Sequence, residues 1–142
     1  MPLLEQVLEK YPQDVKLVYK DFPLRNHKFS KQAAIAAKAA GRQGKFWEFH
    51  HEITQVFNQL SDAKLDEIAK KLNLDMDRFN RDRQDPELEN EINKDLQEGF
   101  QAGVRGTPTI FINGRRLKQR SLQGFQVMID SELAKLNHKE KQ

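Results

Sequence analysis

The sequence predicts an α/β chain whose sheet is too small for its helices. Three observations carry that expectation. Hydrophobic periodicity runs in the order helix, strand, four helical pieces, strand, strand, helix. Asn113-Gly114, between an apolar stretch and a basic one, is the strongest short hairpin signal in the chain. The opening helix has no strand before it, although a helix in an α/β fold normally follows a strand and packs back onto its sheet.

The elements follow in order. Leu3, Leu4, Val7, Leu8 and Tyr11 fall at helical spacing, with Pro2 suited to a first helical turn. Pro12 and Asp14 end that helix. Val15 to Phe22 is rich in β-branched and aromatic residues and reads as a strand closed by Pro23. Ser30 then reads as the N-cap of an alanine-rich helix that stops at Gly41. The next helix places Phe46, Phe49, Ile53, Val56 and Phe57 on one face. Ser61 caps a helix with Leu65, Ile68, Ala69 and Leu72 inward. A short helical turn over residues 75–80 brings in Met76 and Phe79. Asp85-Pro86 is a cap followed by proline at the first helical position, and that helix runs to Ala102 with Gly103 as its stop. Thr109 to Ile112 reads as a buried strand and Arg116 to Gln119 as its return. Ser121 caps a last amphipathic helix through Leu122, Phe125, Ile129, Leu133 and Leu136. The polar residues 137–142 read as a frayed tail.

Composition narrows the function classes. With 142 residues the chain is long enough for a single core, and 37% apolar against 32% charged residues marks a patterned globular chain rather than a disordered one. No apolar run approaches the ~20 residues of a membrane span. The opening MPLLEQVLEK does not read as a signal peptide, because it lacks a basic start and Glu5 interrupts its apolar part. The net charge of +3 is spread among acidic residues, which makes nucleic acid a poor partner. The chain has no cysteine, so it holds no disulfide, thiolate metal site or cysteine nucleophile.

Three stretches resemble one family. VKLVYKDFPL is similar to the strand after the active-site helix of the DsbA-like thiol-disulfide oxidoreductases, within the thioredoxin superfamily. AAIAAKAAGRQGKFWEFHHEI resembles the start of their inserted helical domain. DLQEGFQAGVRGTPTIFINGRRL resembles the helix, proline turn and hairpin that close the thioredoxin half. The resemblance covers essentially the whole chain and is most specific over residues 44–50 and 99–114. It implies a thioredoxin-like fold as one domain over 1–142, with residues 1–26 and 100–142 as the thioredoxin half and 27–99 as the helical insertion.

The departure from the family is equally specific. Family members place Cys-x-x-Cys at the N-terminus of the first long helix, after a central strand. Both are absent here, and Met1 falls where a family member is already inside that helix. A start misplaced or engineered at an internal methionine and a naturally cysteine-free relative are the competing explanations. The first is favoured, because the opening lacks a structural strand as well as the catalytic motif.

Disulfide exchange needs a thiolate attacking a disulfide sulfur, and a helix N-terminus lowers a thiol's pKa. No other side chain substitutes for that sulfur, so no catalytic residue is assigned. The resemblance implies a cis peptide bond at Thr107-Pro108. It also implies that Gly106, Thr107 and Pro108 form the wall that binds an extended substrate backbone by strand-like pairing. His50 and His51, with Glu48 and Glu52, suggest a metal. Adjacent helical residues point ~100° apart, however, so packing of His50 near Phe46 and Trp47 is the better reading, and no metal or other cofactor is expected. Arg115, Arg116, Lys118 and Arg120 read as charges that protect a hairpin edge.

The expected partners are an unfolded or extended protein substrate and a redox partner, with neither nucleic acid nor a membrane span. The resemblance places the family in the periplasm or another extracytoplasmic compartment. A homodimer through exposed strand edges is expected where the central strand is missing. The alternative is a redox-independent peptide-binding or chaperone-like module.

Overall fold

The computed structural model describes residues 2–25 and 27–140. The chain divides into two compact units, Met1–Tyr19 with Thr107–Gln142, and Lys20–Gly106. The sequence boundaries at 26/27 and 99/100 fall inside the second of these, the first of them at Asn26, which lies outside the described residues.

The first unit begins with α1 (Pro2–Lys10), whose Val7 is buried. The hairpin follows much later in sequence: β1 (Phe111–Ile112) pairs antiparallel with β2 (Arg115–Arg116), Phe111 opposite Arg116 and Ile112 opposite Arg115. Asn113 and Gly114 both have positive φ, 49° and 80°, as a two-residue hairpin turn of this twist requires. α7 (Leu122–Glu140) closes the unit, and the Gly124 N–H donates to Ser121 Oγ at 3.0 Å as its cap. The core of this unit is Val7, Tyr11, Leu117, Phe125 and Ile129. The Tyr11 hydroxyl donates to Asp130 Oδ1 at 2.7 Å.

The second unit is helical: α2 (Ser30–Gly41), α3 (Phe46–Gln55), a 3₁₀ turn (Phe57–Gln59), α4 (Asp62–Lys71), α5 (Met76–Arg83) and α6 (Pro86–Gln101). Alanines 33, 36, 37, 39 and 40 of α2 are buried, and Phe49, Ile53, Leu65, Ile68, Phe79 and Leu88 surround them. Small residues on α2 let the neighbouring helices approach closely, and the large side chains of those helices fill the space. Side-chain oxygens of Ser61, Asp75 and Asp85 cap α4, α5 and α6. α2 and α6 end the same way. Gly44 and Gly103 adopt positive φ, and the next residue's N–H reaches back, Lys45 to Ala40 O and Val104 to Gly99 O, both at 2.9 Å.

Several expectations need correction. Val15 to Phe22 is not a strand; residues 15–24 carry no regular structure. Strand propensity is a preference for packing on a paired surface, and this stretch pairs with no neighbouring strand among the described residues. The strand expected over residues 109–112 is limited to Phe111–Ile112, and its return lies at Arg115–Arg116 rather than at 116–119. One further bond, from the Leu117 N–H to Ile110 O at 2.8 Å, extends the pairing. Ser30 is the first residue of α2 rather than its cap; Phe29 holds the cap position and offers no side-chain acceptor. The turn over 75–80 is a full helix, because Asp75 caps it and Phe79 is buried beneath it. α7 continues to Glu140, through most of the expected frayed tail, while Lys141 and Gln142 lie outside the described residues.

Candidate functional site

Thr107 and Pro108 stand at the point where the chain enters β1. Both are exposed, and the peptide bond between them is cis. They open the second segment of the first unit, and Gly106 is the last residue of the helical unit. Gly106 has open space where a Cβ would stand, so nothing steric demands glycine there. No hydrogen bond joins the Thr107 N–H or C=O to another described residue. An exposed, unpaired backbone segment at the start of a strand can accept an extended peptide through main-chain bonds, which impose little sequence preference.

The histidines separate as their helical angles require. Phe46 and His50 stack with ring centroids 5.9 Å apart and planes at 6°, and Trp47 meets His50 edge-on at 6.2 Å. Burial lowers the His50 pKa below the ordinary imidazole value. His51 is exposed. No group of three or more His, Cys, Asp or Glu able to hold a metal ion occurs among the described residues. In the basic hairpin, Arg115 reaches Glu132 at 3.3 Å.

Sequence reasoning missed the buried carboxylate of the helical unit. Asp21 is 5% exposed, and its N–H donates to Asp95 Oδ2 at 3.0 Å. Lys38 Nζ stands 3.5 Å from Asp21 Oδ2 and 3.4 Å from Glu91 Oε2. Burial pushes the Asp21 carboxyl up to about 6, helped by Asp95 and Glu91 and opposed by Lys38. Nothing local in VYKDFPL signals this, since the partners come from α2 and α6. A second hub, Arg42, bridges Asp82 at 3.0 Å and Asp85 at 2.9 Å. It ties the end of α2 to α5 and to the cap of α6.

A family model described as thioredoxin matches residues 2–131. Two of the most similar curated relatives are sodium/proton antiporters. NhaA 3 of Salinispora tropica is 37% identical over 116 residues, 81% of this chain and 18% of that protein. NhaA of Herminiimonas arsenicoxydans is 32% identical over 108 residues, 76% of this chain and 17% of its own. The chain therefore spans less than a fifth of the length of these relatives, and none of its described helices is long and apolar enough to cross a membrane. Among solved structures, a thioredoxin-like oxidoreductase from Silicibacter pomeroyi DSS-3 superposes with a TM-score of 0.80 at 25% identity, covering 94% of this chain and 77% of that one.

Proposed function

The chain belongs to the thioredoxin family and has its fold, as an incomplete α/β domain with a two-stranded sheet, and on that premise we propose that it is the substrate-binding part of a DsbA-like thiol-disulfide oxidoreductase. Its likeness to a thioredoxin-like oxidoreductase supports the general class of chemistry. The observation that carries the finer reading is the exposed Thr107–Pro108 turn, with the Thr107 backbone groups unpaired at the entry to β1.

In this reading Gly106, Thr107 and Pro108 face an extended protein substrate. The Cys-x-x-Cys nucleophile lies outside these 142 residues, which contain no cysteine. The residues here are redox-inert by themselves, since exchange needs a thiolate. For the cysteine-bearing form the assignment extends to an extracytoplasmic location and a separate redox partner; without the central strand, the 142 residues pair as a homodimer through strand edges.

The test joins a strand and a Cys-x-x-Cys segment ahead of Pro2 and follows oxidation of a reduced, unfolded polypeptide. Activity should appear in the joined protein and be absent from the chain alone. Pro108→Ala in the joined protein should then raise KM or slow product release. Unchanged kinetics in that variant would remove Thr107 and Pro108 from the substrate wall.

A redox-independent peptide-binding or chaperone-like module is the second reading. The lack of cysteine favours it. It requires the chain alone to bind a cysteine-free unfolded polypeptide, with amide shifts centred on Thr107.

A further inference from the structure

A cleft of about 590 Å³ opens in the first unit, away from Thr107 and Pro108, neither of which lines it. Its floor is apolar: Leu3 and Leu4 from α1, Ile110 ahead of β1, and Phe125 from α7. Its lip carries two cations, Lys118 and Arg120. Phe125 is buried, the other three floor residues are partly so, and both cations are exposed. Arg115, on the same hairpin, is neutralised by Glu132, whereas neither Lys118 nor Arg120 has a carboxylate partner among the described residues.

This is an amphipathic arrangement with one sign of charge. The volume falls within the ~300–1,000 Å³ of small-molecule sites. Leaving Leu3, Leu4 and Ile110 partly wet is unfavourable, and a hydrocarbon laid across them removes that surface from water. Arginine and lysine at the mouth match an anionic head, the guanidinium in a two-pronged geometry. A neutral apolar ligand leaves the cations unused, and a cationic one meets repulsion.

We propose that this cleft binds a single-chain anionic amphiphile, a fatty-acid-type carboxylate. Its chain lies on Leu3, Leu4, Ile110 and Phe125, and its head lies between Lys118 and Arg120. The site uses neither Thr107 nor Pro108; its floor shares α1 and Ile110 with the face proposed to pair in a strand-edge dimer, so the amphiphile and a second copy compete for it.

Calorimetric titration of the full chain tests it with octanoate, decanoate and dodecanoate, each below its micelle concentration, and with decanol and decyltrimethylammonium as controls. Binding should be saturable at one site and tighten about three- to fourfold for each added methylene that is buried. Decanoate should bind at least tenfold more tightly than decyltrimethylammonium. The double variant Lys118→Ala, Arg120→Ala changes only exposed residues, so it should keep the wild-type melting temperature while losing about tenfold or more in decanoate affinity. Its affinity for decanol should not change. Absence of saturable binding, equal binding of the cationic amphiphile, or undiminished decanoate binding by the double variant would each overturn the assignment.

Discussion

Lys38 Nζ sits between two carboxylates, 3.5 Å from the buried Asp21 and 3.4 Å from Glu91. Asp95 supplies a third carboxylate through the Asp21 N–H, and Lys20 pairs with Asp95 at 3.6 Å and Glu98 at 3.1 Å. The cluster fixes residues 20–22 against α2 and α6. It also leaves more negative than positive charge around a buried acid.

That imbalance sets a pH dependence. The folded chain holds a proton on Asp21 up to about pH 6, above the ordinary 3.8. A carboxyl whose pKa is raised by folding favours the folded state when protonated. Its contribution is therefore fully present below pH ~4, declines as pH rises through 4 to 6, and is gone above that. A change of this size corresponds to at most about 3 kcal/mol. Asp85, whose pKa is lowered by the Glu87 N–H and by Arg42, gives a slope of the opposite sign, so the comparison must be with a variant. Asp21→Asn should flatten the decline between pH 4 and 6 in urea denaturation. Parallel wild-type and variant profiles across that range would show that Asp21 titrates normally.

Gly124 lies in the first turn of α7, where alanine is ordinarily better by ~1 kcal/mol. A Cβ here, however, would stand 2.1 Å from the Gln119 carbonyl oxygen. That atom is backbone and cannot rotate away, so residues 119–121 would have to shift. Gly124→Ala should destabilise the chain by about 1–3 kcal/mol. At Gly99 a Cβ meets the Phe22 ring at 2.8 Å, and that half-buried ring has room to move, so Gly99→Ala should cost less. Thermal melts of the two variants give the order. A neutral or stabilised Gly124→Ala would mean that the loop before α7 yields freely.

The bond from the Tyr11 hydroxyl to Asp130 Oδ1 joins the end of α1 to α7. Burial, then that bond and the Asp130 charge, push the phenol up to about 12. Tyr11→Phe should cost ~1 kcal/mol, as expected for a single partly buried hydrogen bond. It should also remove the last tyrosinate absorbance step from an alkaline ultraviolet titration. A wild-type titration complete near pH 10 would contradict the bond.

What was legible in the sequence was local. Asp85-Pro86, Gly103 and Asn113-Gly114 each act through their own dihedrals or neighbouring N–H groups, and they cap, stop or turn where expected. The strand expectation for Val15 to Phe22 failed because a strand exists only against a partner, and propensity does not supply one. The burial of Asp21 was equally invisible, being decided by Lys38 and Asp95, residues distant in sequence. Thr107 and Pro108 were singled out by family resemblance rather than by any property of a Thr-Pro pair.

The proposed strand-edge dimer rests on the first unit. In β1 the 111↔116 register, together with the Leu117-to-Ile110 bond, turns the Phe111 N–H and C=O away from β2. Phe111 is 39% and Val18 62% exposed, and Val15, Leu17, Ile110 and Ile112 are only partly covered. Unpaired edge groups beside apolar side chains recruit another strand, and a second copy brings the same edge in a symmetric arrangement. The interface should include α1, the outer edge of β1 and the apolar side chains of residues 15–18, and bury well over ~1,000 Å². Light scattering at micromolar concentration should give twice the 16.6 kDa chain mass. Phe111→Lys, at an exposed position, should return the chain to monomer without unfolding it, because a charge placed on the edge opposes pairing. A wild-type monomer with a cooperative melt would mean that the hairpin and the Val15–Tyr19 segment are stable without added strands, and the dimer would be abandoned.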